Sequence, residues 1–226
     1  MKAILFHTAA TAIMAYGYLS LKQLPVDKFI NTQKGGHSQF LTIIGLWLAC
    51  ANMTLGLASD FLPSVTLIRK AKRLVLMVAL PIATIVTTVY WTLLIFWTEM
   101  ILAARPIPID SPEPDELVPS FADPAIVRIP LKTDLAMHAV PAVALLIDFF
   151  LIERKYTRRQ AIWGGTAMTV LACSVYAPWI EYCSEFNGSF PYPFLTGNPF
   201  DVRVMIYVGL STFALVTFWI LNALHL

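Results

Sequence analysis

The apolar positions of this chain gather into long uncharged runs separated by short polar joints. Residues 3–21, 74–98, 160–180 and 204–226 hold no Asp, Glu, Lys or Arg. The run 35–59 holds none either, with His37 near its start, and 135–152 holds only Asp148. A helix needs about 20 mostly apolar residues to cross a hydrocarbon core of about 30 Å. Only helices and closed barrels satisfy their backbone groups there. The pattern predicts an all-α, polytopic membrane bundle of six transmembrane helices, at about 3–21, 40–60, 74–102, 135–152, 160–182 and 204–225. Together they form one integral membrane domain over 1–226. Lys2 ahead of the first run also fits a signal peptide. However, no clear Ala-x-Ala site closes that run, and it continues through Tyr18 and Leu19, which favours a retained helix.

Composition agrees. Hydrophobic residues make up 58% of the 226 and charged residues 13%, where soluble domains carry about 25% charge. Mean hydropathy is +0.68. A net charge of +2, with no basic run interleaved with aromatics, argues against nucleic acid as a partner. Cys50, Cys173 and Cys183 are scattered and odd in number, so neither a disulfide framework nor a Cys-x-x-Cys metal site is expected. The four histidines are also dispersed, and no metal or cofactor pattern emerges.

Charge sets orientation. Arg69, Lys70, Lys72 and Arg73 follow the second run, and Arg154, Lys155, Arg158 and Arg159 follow the fourth. The positive-inside rule places both joints, and hence both termini, in the cytosol. Lys22, Lys28 and Lys34 in the first outer joint weaken this bias without reversing it. The longest connection, 103–134, is expected outside. Its proline-rich, acidic stretch "RPIPIDSPEPDELVPS" reads as a solvated linker, with a lid over the outer face as the alternative.

The candidate chemistry sits at the outer ends of these helices. Thr42 lies near the outer end of the second span and His138 near that of the fourth, both roughly 5 Å below the interface at the rise of a helix. Taken alone, each has a plainer role. Threonine bonds back to its own helix at little cost, and a histidine can simply bridge two helices. Glu99 closes the third span, Glu181 closes the fifth, and Asp134 stands four residues before His138, on the same helix face if the fourth helix begins that early. Ionisable groups within a membrane are expensive and default to functional candidates, unless they reach the interface. Asp148 is expected to be structural or to snorkel. Tyr176, Trp179, Tyr182, Phe190, Tyr192 and Phe194 fit an interfacial aromatic belt. Trp47, Trp91 and Phe96 fit core packing.

Three stretches carry a resemblance: "FLTIIGLWLACANMTLG" from Phe40, "DLAMHAVPAVALLID" from Asp134 and "YAPWIEYCSEFNGSFPYPFL" from Tyr176. They resemble the androgen-induced protein family, whose fungal branch is the nearest type. The resemblance implies six-span intramembrane hydrolases that cleave fatty acid esters of hydroxy fatty acids, with no cofactor. The family threonine, after a Phe-Leu pair, corresponds to Thr42. The family histidine corresponds to His138, and the "YPFL" motif spans Tyr192 to Leu195. The resemblance implies a Thr–His acyl-enzyme mechanism on a lipid ester, in the endoplasmic reticulum or another endomembrane. Asp134, Glu99, Glu181 and Tyr192 are possible supporting groups. Two rival classes remain. A transporter would exploit breaks at Pro81 and Pro141, and a lipid-binding scaffold would not need Thr42. Oligomeric state is not fixed by the sequence.

Overall fold

The computed structural model describes residues 1–98 and 129–226. Glu99, most of the expected outer linker and the distal end of the third expected span lie outside the described residues. Among the described residues the protein is all helical. Helix α1 covers Lys2–Leu21, α2 Pro25–Thr32, α3 Leu41–Phe61, α4 Thr66–Phe96, α5 Leu131–His138 and α6 Val140–Ile147. Then follow α7 Gly165–Asn187, α8 Pro193–Thr196 and α9 Phe200–Leu224. A 3-10 turn at Gly36–Gln39 precedes α3, a π-helical turn at Asp148–Ile152 extends α6, and another at Gln160–Gly164 leads into α7.

Four of these helices (α1, α3, α4 and α9) are long and apolar enough to cross a membrane, and the bent pair α5–α6 makes a fifth if it is one span. The bend, 42°, falls at Ala139. Pro141 explains it: the ring has no amide proton to give to the fourth preceding carbonyl and clashes with it. The broken ladder leaves acceptors free, and the Thr87 hydroxyl of α4 donates to the His138 carbonyl. By contrast α4 runs through Pro81 without interruption.

Each buried stripe follows the helical repeat. On α1, His7, Ala10, Met14, Gly17 and Leu21 are buried. On α3 they are Ile43, Gly45, Leu46, Ala49, Asn52, Met53 and Gly56. The small residues let backbones approach, the usual packing device inside a bilayer. A Cβ on Gly17 would lie 3.0 Å from that of Ala136 on α5. A Cβ on Gly56 would come within 2.6 Å of the His7 ring, so Gly56 is what lets a histidine sit between α1 and α3. Helix α9 keeps only Ala214, Phe218 and Asn222 buried, so most of its surface faces outward.

Two expectations need correction, and a third resolves between its alternatives. Helix α4 starts at Thr66, well before the apolar run, so Arg69, Lys70, Lys72 and Arg73 are helical rather than in a loop. Nothing forbids this, because Lys72 and Arg73 pair with Glu153 while Arg69 and Lys70 are exposed. Helix α5 begins at Leu131, four residues before the expected span, which makes Asp134 helical. For Asp148 the structural alternative holds and the snorkelling one does not: it is fully buried. Its carboxylate accepts from Lys72 Nζ at 2.8 Å and Asn52 Nδ2 at 3.1 Å, and faces His7 Nε2 at 3.1 Å. His7 Nδ1 lies 2.7 Å from Asp60, and Lys72 also pairs with Glu153 at 2.9 Å. This ionic cluster joins α1, α3, α4 and the π turn after α6.

Candidate functional site

At the other end of the bundle the helices part around a cavity of about 870 Å³. Thr42, Asp134, His138 and Tyr192 all line it. So do Tyr90 and Trp91 of α4, Tyr176 of α7, Tyr207 of α9 and several apolar residues of α2.

Thr42 is placed by the start of α3. The preceding segment is pinned from α7, where Trp179 Nε1 donates to the Ser38 carbonyl at 3.1 Å and the Tyr176 hydroxyl to the Gln39 carbonyl at 3.0 Å. Upstream, Asn187 clasps the backbone of Lys34 through both side-chain atoms. Gly35, with φ +84°, makes the turn between them; any Cβ there would also meet Cys183 Sγ at 2.6 Å. Phe40 then caps α3 with extended backbone and no side-chain bond. This leaves the first amides of the helix open to other partners. Leu41 N–H donates to the Tyr192 hydroxyl at 2.7 Å, and the same hydroxyl interacts with the amide and side chain of Thr42. Burial pushes the Tyr192 phenol up, against the pull of these contacts, which keeps it a proton donor.

His138 is held from two sides. Its Nδ1 lies 2.7 Å from Asp134 Oδ1, one turn earlier on α5. An ionised carboxylate only accepts, so that bond takes the Nδ1 proton and leaves Nε2 as the basic nitrogen. The Tyr90 ring stacks flat on the imidazole, with centroids 3.5 Å apart and planes 2° from parallel. Tyr90 also interacts with the Asp134 carboxylate through its hydroxyl. Both His138 and Asp134 are buried. His37 also lines the cavity, and its Nε2 lies 2.6 Å from Asp27 of α2.

The sequence-derived candidates thus divide. Thr42, His138, Asp134 and Tyr192 share one cavity. Glu181 does not line it; its carboxylate is held by Arg203 at 2.7 and 2.8 Å and accepts the Tyr207 hydroxyl at 2.7 Å. Glu99 lies outside the described residues. Trp91 lines the cavity, whereas Trp47 meets Tyr18 edge to face and Phe96 is largely exposed. Sequence reasoning missed Tyr90, Thr87 and the His37–Asp27 pair. Tyr90 is reached only across helices, and no local spacing marks it. The three cysteines are free thiols.

The fold and site define a helical membrane protein with a polar constellation recessed into one end of an apolar bundle. Comparison with known proteins is consistent with this. A family model described as FAR-17a/AIG1-like protein matches residues 2–226, so the chain belongs to that family. The UPF0641 membrane protein PJ4664.05 of Schizosaccharomyces pombe is 27% identical over 226 residues, which cover 99% of this chain and 90% of that protein. The UPF0641 membrane protein YHR140W of Saccharomyces cerevisiae is 25% identical over 228 residues, covering 94% of this chain and 87% of that one. No solved structure matches the chain.

Proposed function

We propose that this protein is an intramembrane lipid esterase with Thr42 as nucleophile, His138 as general base and acid, and Asp134 as the group that orients the imidazole. The observation that carries the reading is the His138–Asp134 bond at 2.7 Å, on the wall of the cavity that Thr42 also lines. A threonine hydroxyl is a poor nucleophile until a base takes its proton. In the proposed reaction Thr42 Oγ1 attacks the ester carbonyl carbon as its proton passes to His138 Nε2. The tetrahedral intermediate then collapses, the carbonyl carbon–alkoxy oxygen bond breaks, and the alcohol leaves with the proton from Nε2. Water next attacks the acyl-Thr42 ester, its proton going to Nε2 and from there to Thr42, and the free acid is released. Asp134 stays ionised and holds the Nδ1 proton throughout, the part a third member plays in hydrolytic triads. The Tyr192 hydroxyl, which contacts Thr42, and the positive end of the α3 dipole are the groups assigned to stabilise the developing oxyanion. Fatty acid esters of hydroxy fatty acids fit as substrates: the ester and the free carboxylate of the hydroxy acid can lie near headgroup depth while the hydrocarbon chains stay in lipid.

Asp134→Asn tests the assignment. The amide keeps the shape but reverses the proton demand on Nδ1, which favours the wrong tautomer. Ester turnover by purified protein is expected to fall by about 10²- to 10⁴-fold, with thermal unfolding little changed. An unchanged rate contradicts the role given to Asp134.

The proposal includes the finer topology: α7 with its leading π turn completes a sixth span, both termini face the cytosol and the cavity opens on the lumenal or outer side of an endomembrane. The basic residues of α4 and of the segment 154–159 support it. A protease-accessible reporter at either terminus should be cleaved from the cytosolic side; protection of the N-terminal reporter alone would overturn this arrangement.

A further inference from the structure

Beneath the cavity lies a second, narrower groove of about 350 Å³ between α3, α4, α7 and α9. Leu41, Ile85, Tyr176, Tyr207 and Leu210 line both spaces, so the two share a wall next to Thr42. From that wall the groove follows α7 from Trp179 to Met168, α4 from Ile85 to Met77 and α9 from Tyr207 to Ala214. At the rise of a helix those stretches are roughly 10–16 Å long, enough for about eight to twelve methylenes of an extended chain. No charged side chain lines the groove. The outer cavity, in contrast, carries His37, Asp134, His138 and Tyr192.

We infer that this groove is the acyl-chain subsite and that the outer cavity receives the alcohol arm of the same ester. The inference rests on the esterase reading for its direction. Thr42 keeps the acyl group after the first step, so the acyl chain must fit a space that adjoins the cavity of Thr42 and needs no polar exit; the groove meets that cavity at Leu41, the residue before Thr42. The alcohol gains a free hydroxyl on cleavage. It therefore leaves through the chamber that offers hydrogen-bond partners and opens at the end of the bundle. The substrate is an ester with two long apolar arms, and its acyl arm is straight enough to run between α4 and α7. Met77, Met168 and Ala214 form the far end of the groove and set acyl length. Ala172 lies midway along it, where a larger side chain blocks a long chain.

The test uses full-length Thr42→Ala protein in nanodiscs, which leaves the probe ester intact, and two palmitoyl esters of a long-chain secondary alcohol. One carries a diazirine at mid-chain of the acyl arm, the other at mid-chain of the alcohol arm. After illumination, crosslinks are mapped by peptide mass spectrometry. The acyl-arm probe is expected at Met168–Cys173 or Met77–Ile82, and the alcohol-arm probe at Val86–Leu94 or α2. Acyl-arm crosslinks in the outer cavity, or spread over the outward face of α9 as for bulk lipid, overturn the inference. In a Thr42-intact background, Ala172→Phe should lower the ratio of kcat/KM for palmitoyl over butanoyl esters by about tenfold or more. An unchanged ratio also overturns it. If wild-type protein cleaves no ester while the acyl-arm crosslinks still map to the groove, the chain subsite stands and the esterase reading falls.

Discussion

Thr42→Ala is expected to abolish ester turnover while leaving the fold intact. The substitution removes one hydroxyl and one methyl from a half-buried position on the cavity wall. The Tyr192 bond to Leu41 N–H, which helps fix the start of α3, does not depend on it. Stability should change by less than about 1 kcal/mol. The rate should fall on the order of 10⁴-fold or more, because no other nucleophile replaces the hydroxyl. Thr42→Ser keeps the reacting oxygen and should retain measurable turnover. His138→Ala should cost as much in rate, but it also strands the buried Asp134 carboxylate and removes the ring on which Tyr90 stacks. It should therefore lose stability as well. Groups that act as a unit are not additive, so the double variant should be barely slower than either single one. Steady-state kinetics beside thermal unfolding in detergent separate these effects. Additive rate losses would contradict a shared step.

The second large effect is expected far from the site. Asp148→Ala should destabilise the bundle by about 3–5 kcal/mol, because it leaves Lys72 buried with one of its two carboxylate partners missing. His7 and Asn52 lose a partner in the same change. The comparison is Glu181→Ala. Glu181 and Arg203 are both partly exposed, and such pairs contribute about 1 kcal/mol or less. Thermal unfolding of the two variants in the same detergent should show a large loss for the first and a small one for the second. Equal losses would mean that the cluster around Asp148 is not the clasp its burial implies.

Much of the fold and part of the site could be read from the residues. Charge-free runs of 18 or more residues mark helices in lipid whatever their neighbours. Asp134 and His138 are one turn apart, so their meeting needed only a helix that begins at Leu131. Thr42 could be placed in the first turn of α3 by counting residues. What could not be read depends on which helix faces which. Asp148 and His7 are 141 residues apart in sequence, and Leu41 and Tyr192 are 151 apart. No local periodicity encodes either contact. Of the two roles expected for Asp148, structural or snorkelling, the structural one holds, and no local signal could choose between them because its partners Lys72 and His7 come from other helices. Tyr90 looked like any aromatic in an apolar run until the bend at Pro141 placed His138 against its ring. The early start of α4 escaped notice because hydropathy marks where a helix enters lipid, not where it begins.

The most direct test of the threonine esterase is to identify the residue that carries a covalent adduct. Purified wild-type protein is treated with an alkyl fluorophosphonate, digested, and the modified peptide sequenced by mass spectrometry. The phosphonyl group is expected on Thr42, with no labelling of Thr42→Ala protein and slowed labelling of Asp134→Asn. Labelling at another residue that persists in the Thr42→Ala protein, or no labelling of a wild-type protein that cleaves esters, would contradict the assignment.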